Sequence, residues 1–197
     1  MNKKKRFVFD PKKAVLLIID VQNHFAHIEG RAFLDSSINA LPNILTLLKI
    51  FYSKKLPIIA TRHSHNSVDD LGMMGKFYND YINHNEWDSF LIDRIDKEKD
   101  IKVIDKKTYD AFWKTDLEKY LIEKEIQQVV ICGCMTHLCC ETTARSAFVR
   151  GFEVYFVDNA TFTKNELLHS NTLHNIEDGF GTIMSTEEIT TECQKTI

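Results

Sequence analysis

The chain has 197 residues, of which 44% are hydrophobic and 27% charged, with a net charge of −3. That length and balance fit one domain with a sizeable core, and the mildly negative charge leaves no electrostatic footprint for nucleic acid. No stretch is apolar for long enough to span a bilayer, and the basic start MNKKKR has no long apolar run behind it, so it does not read as a secretory signal.

A cytoplasmic location is therefore expected, where thiols stay reduced. Five cysteines are an odd number, and four of them crowd into nine residues, 132–140, while Cys193 lies near the C-terminus. A disulfide framework is a poor reading of that pattern. A zinc site is no better, because C-x-C-x4-C-C lacks the usual ligand spacing and a second half-site is missing. No metal and no cofactor are expected.

In chain order, residues 1–12 read as a solvated arm ahead of a single domain that makes up the rest of the 197 residues. AVLLIID (14–20) is a continuous apolar run ending in a charge, the pattern of a strand buried on both faces of a parallel sheet. SSINALPNILTLLKIFYSKK (36–55) has apolar residues at helical spacing, with Pro42 expected in the first turn or its entry. LPIIATR (56–62) is the second strand, and a long insert follows it. IKVID (101–105) is the third strand. TDLEKYLIEKE (115–125) opens with a capping-box pattern, Thr115 and Glu118. QVVICG (128–133) is the fourth strand, and the helix after it stops at Gly151. FEVYFVD (152–158), a helix over 165–181 and GTIMS (181–185) complete the chain. This order predicts an α/β fold: a three-layer α/β/α Rossmann-like sandwich around a mainly parallel six-stranded sheet with right-handed crossovers.

In such sheets the site lies beyond the C-terminal ends of the strands. Asp20 stands at the first strand end, His63 and His65 at the second, Asp105, Lys106 and Lys107 at the third, Gly133 and then Cys139 at the fourth. A cysteine near a helix N-terminus has its thiolate favoured by the backbone N–H groups, which can also cradle an oxyanion. A cysteine nucleophile needs a base, and expelling an amine needs an acid. From the residues alone, Asp20 reads either as a turn residue or as that acid and base, and Cys139 either as a buried thiol or as the nucleophile. Cys132 and Cys140 read as packing and Cys134 as a turn residue.

Three segments in this order resemble the isochorismatase-like cysteine hydrolases, which include nicotinamidases, N-carbamoylsarcosine amidases and ureidoacrylate amidases. They are DVQNHF (20–25), VIDKKTYDAFWKTDLEKYL (103–121) and GCMTHLCCETTARSAFVRGFEVYFVDNA (133–160). The resemblance implies Asp20 as general acid/base, Lys106 as the lysine three residues before Tyr109, and Cys139 as nucleophile. It implies a cis peptide between Cys134 and Met135, with the N–H groups of Met135 and Cys139 at the oxyanion. Gln22, Phe25, Tyr109 and Thr136 lie in the matched segments and are expected at the substrate. Trp113 follows the lysine segment as a candidate wall of the pocket. His63 is a candidate substrate contact, and Arg62 either orients a substrate carboxylate or pairs with a surface acid. His63 and His65 alternate on an extended segment, so a turn is needed for both to face one pocket.

The implied reaction is hydrolysis of a small amide, carbamoyl or ureido C–N bond through a thioester. True isochorismatases lack the cysteine. Nicotinamidases carry a metal set, Asp-x-His and a further His, which His63-Ser64-His65 and the residues just after it do not reproduce. A metal-assisted amidase and a catalytically silent redox sensor are the alternatives. The expected partners are a small-molecule substrate and further copies of the chain in a homo-oligomer, with no membrane and no nucleic acid.

Overall fold

Six parallel strands form the centre of the molecule, described by a computed structural model over residues 7–78, 81–96 and 101–195. They are β1 (Ala14–Ile19), β2 (Ile58–His63), β3 (Lys102–Lys106), β4 (Gln128–Cys134), β5 (Glu153–Phe162) and β6 (Thr182–Met184). Their order across the sheet is β3-β2-β1-β4-β5-β6, every neighbouring pair parallel. The chain winds outward from β1 in one direction, then returns beside it with β4 and winds the other way. The switch point between β1 and β4 is where such a sheet opens a crevice.

The helices are α1 (Asn23–Ala26), α2 (Ser37–Ser53), α3 (Gly72–Phe77), α4 (Asp93–Asp96), α5 (Leu117–Glu123), α6 (Glu141–Val149), α7 (Glu166–Gly179) and α8 (Thr186–Lys195). Side chains alternate along β1, so the strand feeds two cores. Ala14, Leu16 and Ile18 pack with Ile44, Leu47, Leu48 and Phe51 of α2 and with Ile189 and Cys193 of α8. Val15, Leu17 and Ile19 pack with α5, α6 and α7 through Leu117, Leu121, Ala144, Ala147 and Ile176. These are the two outer layers of the expected sandwich. Among the described residues no helix is long and apolar enough to cross a membrane.

Several local expectations change. Pro42 lies in the second turn of α2 rather than the first. The capping box at Thr115 does not form: α5 begins at Leu117 after Asp116, the Thr115 hydroxyl donates to the Ala111 carbonyl at 2.6 Å, and Glu118 pairs with Arg150 at 3.1 Å. Helix α8 has no counterpart in the sequence reading, because TEEITTECQK is polar apart from the two positions, 189 and 193, that reach the core. Residues 1–6 of the expected arm lie outside the described residues. From Val8 onward the segment is tied down: the Gln128 side chain donates to the Val8 carbonyl at 2.9 Å and accepts the Asp10 N–H at 2.8 Å, and Phe9 meets the Tyr155 ring edge-on at 4.9 Å.

Strands β1 and β4 pass close together at Gly133, opposite Ile19. Gly133 has φ +110°, and a Cβ there would come within 2.1 Å of the Ile19 carbonyl oxygen. Only glycine fits that backbone. Gly133→Ala is expected to destabilise the fold by at least about 2 kcal/mol, read as a lower urea midpoint with an unchanged slope.

Candidate active site

The first strand stops because Asp20 takes φ +49°, a left-handed conformation that few side chains adopt. Its N–H leaves the strand ladder and donates to the Thr61 hydroxyl oxygen at 3.1 Å, while that hydroxyl donates to Asp20 Oδ1 at 2.7 Å. Asp20 Oδ2 lies 2.6 Å from Lys106 Nζ, at the end of β3, yet accepts no hydrogen bond of good geometry. The two side chains are 1% and 0% exposed. The Lys106 ammonium also donates to the Thr108 carbonyl at 2.9 Å and to Cys139 Sγ at 3.3 Å. The ammonium thus has two aligned acceptors and, in Asp20 Oδ2, an ion-pair partner. Burial works against the charge on Lys106, but Asp20 and Cys139 outweigh it and raise its pKa above the ordinary lysine value.

The fourth strand ends in Cys134, and the Cys134–Met135 peptide is cis. A π-helical turn, Thr136–Cys140, then leads directly into α6. This turn carries Cys139, which is partly exposed, whereas the other four cysteines are buried and all five are free thiols. Cys134 donates its S–H to the Asp20 carbonyl at 3.1 Å, so it braces the turn that carries the carboxylate. Cys132 and Cys134 pack in one core and Cys140 in the other. Burial pushes the Cys139 thiol up to about 12, with Lys106 pulling it back and Asp20 adding to the rise. The resting side chain at neutral pH is the thiol.

Other expected site residues occupy different places. Gln22 is buried and fully engaged: its amide donates to the carbonyls of His63 and Ser89 at 2.9 and 2.8 Å and accepts the His63 N–H at 2.8 Å. It fixes the end of β2. Phe25 is half-buried against the α2-side core, edge-on to His24. Arg62 holds Asp105 with a fork of 2.6 and 3.2 Å and meets the His84 ring at 3.1 Å. Thr136 is buried and bonds His169 on α7 at 3.1 Å.

The chain does turn after β2, and the His63 and His65 rings meet edge-to-face at 4.9 Å. Both are buried, and burial lowers both pKa values; Lys106 adds to the effect, so His63 is neutral. A third imidazole, His84, reaches this region, where its ring takes contacts from Ser64 at 3.1 Å and from the Arg62 guanidinium. Two cations, Arg62 and Lys106, thus stand beside the histidines, and no group of three or more ligating side chains is arranged to hold a metal among the described residues.

A cleft of about 1170 Å³ opens beside Lys106 and Leu138, lined by Met73, Met74, Phe77, Tyr78, Tyr109 and Trp113. Burial raises the Tyr109 pKa, as does its hydrogen bond to Tyr78. Trp113 is half exposed on this wall, beneath the Lys114 ammonium. Met73 to Tyr78, from the insert between β2 and β3, form one wall of this cleft. Thr61 carries no motif in the sequence, although a threonine one strand over from Asp20 is the residue type that would satisfy a carboxylate.

A family model described as the Isochorismatase domain matches residues 14–188. The chain belongs to the isochorismatase family. It is a hydrolase of that family. It is 39% identical over 181 residues to Nicotinamidase 3 of Arabidopsis thaliana, covering 90% of this chain and 87% of that one. It is 27% identical over 186 residues to enterobactin synthase component B of Escherichia coli K12, covering 93% of this chain and 64% of that one. A cysteine hydrolase from Pseudomonas syringae pv. phaseolicola 1448A has the same fold, with a TM-score of 0.94 over 100% of both chains at 22% identity.

Two measurements probe this hydrolase's buried charges. Lys106→Met leaves a carboxylate in the interior with no counter-ion and is expected to cost about 3–5 kcal/mol; adding Asp20→Asn is expected to recover most of it. Because the Lys106 pKa is raised, its contribution is complete below the ordinary lysine value and fades only as pH climbs through the folded value. The wild-type advantage over Lys106→Met in urea melts is therefore expected not to fall between about pH 6 and pH 9. In the resting protein, iodoacetamide alkylation of Cys139, followed by peptide mass, is expected to rise about tenfold per pH unit from about pH 7 to pH 10.

Proposed function

We propose that the protein hydrolyses the C–N bond of a small amide through a Cys139 thioester, with Asp20 carrying the proton. The observation that supports this reading is the convergence of Asp20 Oδ2, Lys106 Nζ and Cys139 Sγ, from three different strand ends, within hydrogen-bonding range. Nicotinamide is the first substrate to test, because the relative at 39% identity is called a nicotinamidase.

In this scheme Cys139 Sγ forms a bond to the acyl carbon as its proton passes to Asp20 Oδ2. Lys106 keeps its proton throughout and offsets the negative charge as it moves from carboxylate to thiolate. The N–H groups of Met135 and Cys139 are the donors assigned to the oxyanion. Asp20 then returns the proton to the nitrogen as the C–N bond breaks and ammonia or an amine leaves. A water gives a proton to Asp20 and its oxygen to the acyl carbon; the C–S bond breaks, and Asp20 reprotonates the thiol. The thiol, raised to about 12, needs this internal base to react near neutral pH. His63, Tyr109 and Trp113 are assigned to the walls of the acyl pocket, and Gln22 and Thr136 to its support. Assembly into a homo-oligomer belongs to the same proposal.

The test is ammonia release over nicotinamide, N-carbamoyl amino acids, ureido acids and simple primary amides. Wild type is expected to turn over at least one of them, and Cys139→Ala and Asp20→Asn are expected to lose at least about 10³-fold in kcat. Full turnover by Cys139→Ala would sink the thioester scheme.

A further inference from the structure

We propose that Thr61 is a positioning residue for the Asp20 carboxylate, turning Oδ2 toward Lys106 and the Cys139 thiol. This role rests on the reading of Asp20 as the proton carrier. Thr61 lies on β2 and is fully buried. Its hydroxyl has one proton and two acceptor lone pairs. The Asp20 N–H points at the oxygen from 3.1 Å and occupies a lone pair, so the hydroxyl proton is committed to Asp20 Oδ1 at 2.7 Å. One side chain thus replaces the ladder partner that the Asp20 N–H loses at φ +49° and also holds one carboxylate oxygen.

The two oxygens of Asp20 consequently have different surroundings. Oδ1 faces a neutral donor on β2. Oδ2 faces the Lys106 ammonium and has no well-aligned hydrogen bond of its own, so it is the oxygen with room for the thiol proton. Without Thr61 the carboxylate is free to turn about its Cβ–Cγ bond, and either oxygen, or neither, meets the thiol. Lys106 meets Oδ2 as an ion pair without an aligned hydrogen bond, which attracts the carboxylate but sets its rotation less firmly, and Cys134 holds the Asp20 carbonyl, not its carboxylate.

The test uses the amide that wild type hydrolyses in the ammonia-release panel, nicotinamide first. Thr61→Val keeps the branched shape and removes the hydroxyl, and Thr61→Ser keeps the hydroxyl and removes the methyl. Thr61→Val is expected to lose about 10- to 100-fold in kcat with KM within about twofold, since the lost bond is to a charged group and lies away from bound substrate. Thr61→Ser is expected to stay within about threefold of wild type. Thermal melts report folding, and if the valine variant does not fold, Thr61→Ala against Thr61→Ser gives the same hydroxyl contrast. A packing role would make serine as damaging as valine, and that result, or full kcat in Thr61→Val, overturns the role alone. A wild type that turns over nothing in the panel, or an active Cys139→Ala, overturns the amide reading and this role with it.

Discussion

A buried pair of opposite charges, Asp20 and Lys106, sets the terms for everything around it. Two ions removed from water cost more than their attraction returns unless their remaining donors and acceptors are also satisfied. The structure meets that requirement for all but one oxygen. The Thr108 carbonyl and the Cys139 sulfur accept from the ammonium and Thr61 serves Asp20 Oδ1, while Oδ2 has the ion pair alone. An apolar pair of the same volume would hold the sheet end together as well. In the proposed reaction the retained charges have a chemical use, a carboxylate beside a cation and a thiol that carries a proton shielded from water.

The parallel sheet is what makes the pair possible. Strands β1, β3 and β4 point the same way, so residues separated by more than a hundred positions end at one crevice. The close approach at Gly133 brings β4 onto β1, and the π-helical turn then lifts Cys139 out of the layer that swallows its neighbours. This separates the five thiols by physics rather than by motif. Burial pushes all five thiols upward, and Cys139 is set apart by accepting a hydrogen bond from the Lys106 ammonium and retaining some exposure. Reactivity in a cysteine cluster follows such surroundings.

The insert between β2 and β3 provides the other wall. Asp70 pairs with Lys107 at 2.5 Å, and Tyr78 bonds Tyr109, so the insert is fastened to the segment that carries Lys106. The Arg62–Asp105–His84 group fastens it again on the far side. A substrate pocket made this way can change by altering the insert while the charged centre stays the same. Family membership therefore specifies the reacting groups more tightly than it specifies what they act on.

The sequence by itself determined the layered α/β class and all six strands, because these depend on local patterns, apolar runs long enough for strands; it nominated Asp20, Lys106 and Cys139 from short segments whose spacing resembles a family's. It also placed Cys132 and Cys140 in packing from strand and helix periodicity alone. The tertiary structure decided what depends on distant partners. Gln22 sits inside a matched segment, yet its amide is spent on the backbone at His63 and Ser89. The two histidines after β2 meet because the chain turns there, which no residue announces. Thr61 gains its meaning only from a carboxylate one strand away, and α8 forms on two apolar residues because α2 is waiting beneath it. Strand and helix patterns are written in nearest neighbours along the chain, whereas hydrogen bonds to a carboxylate are made across it.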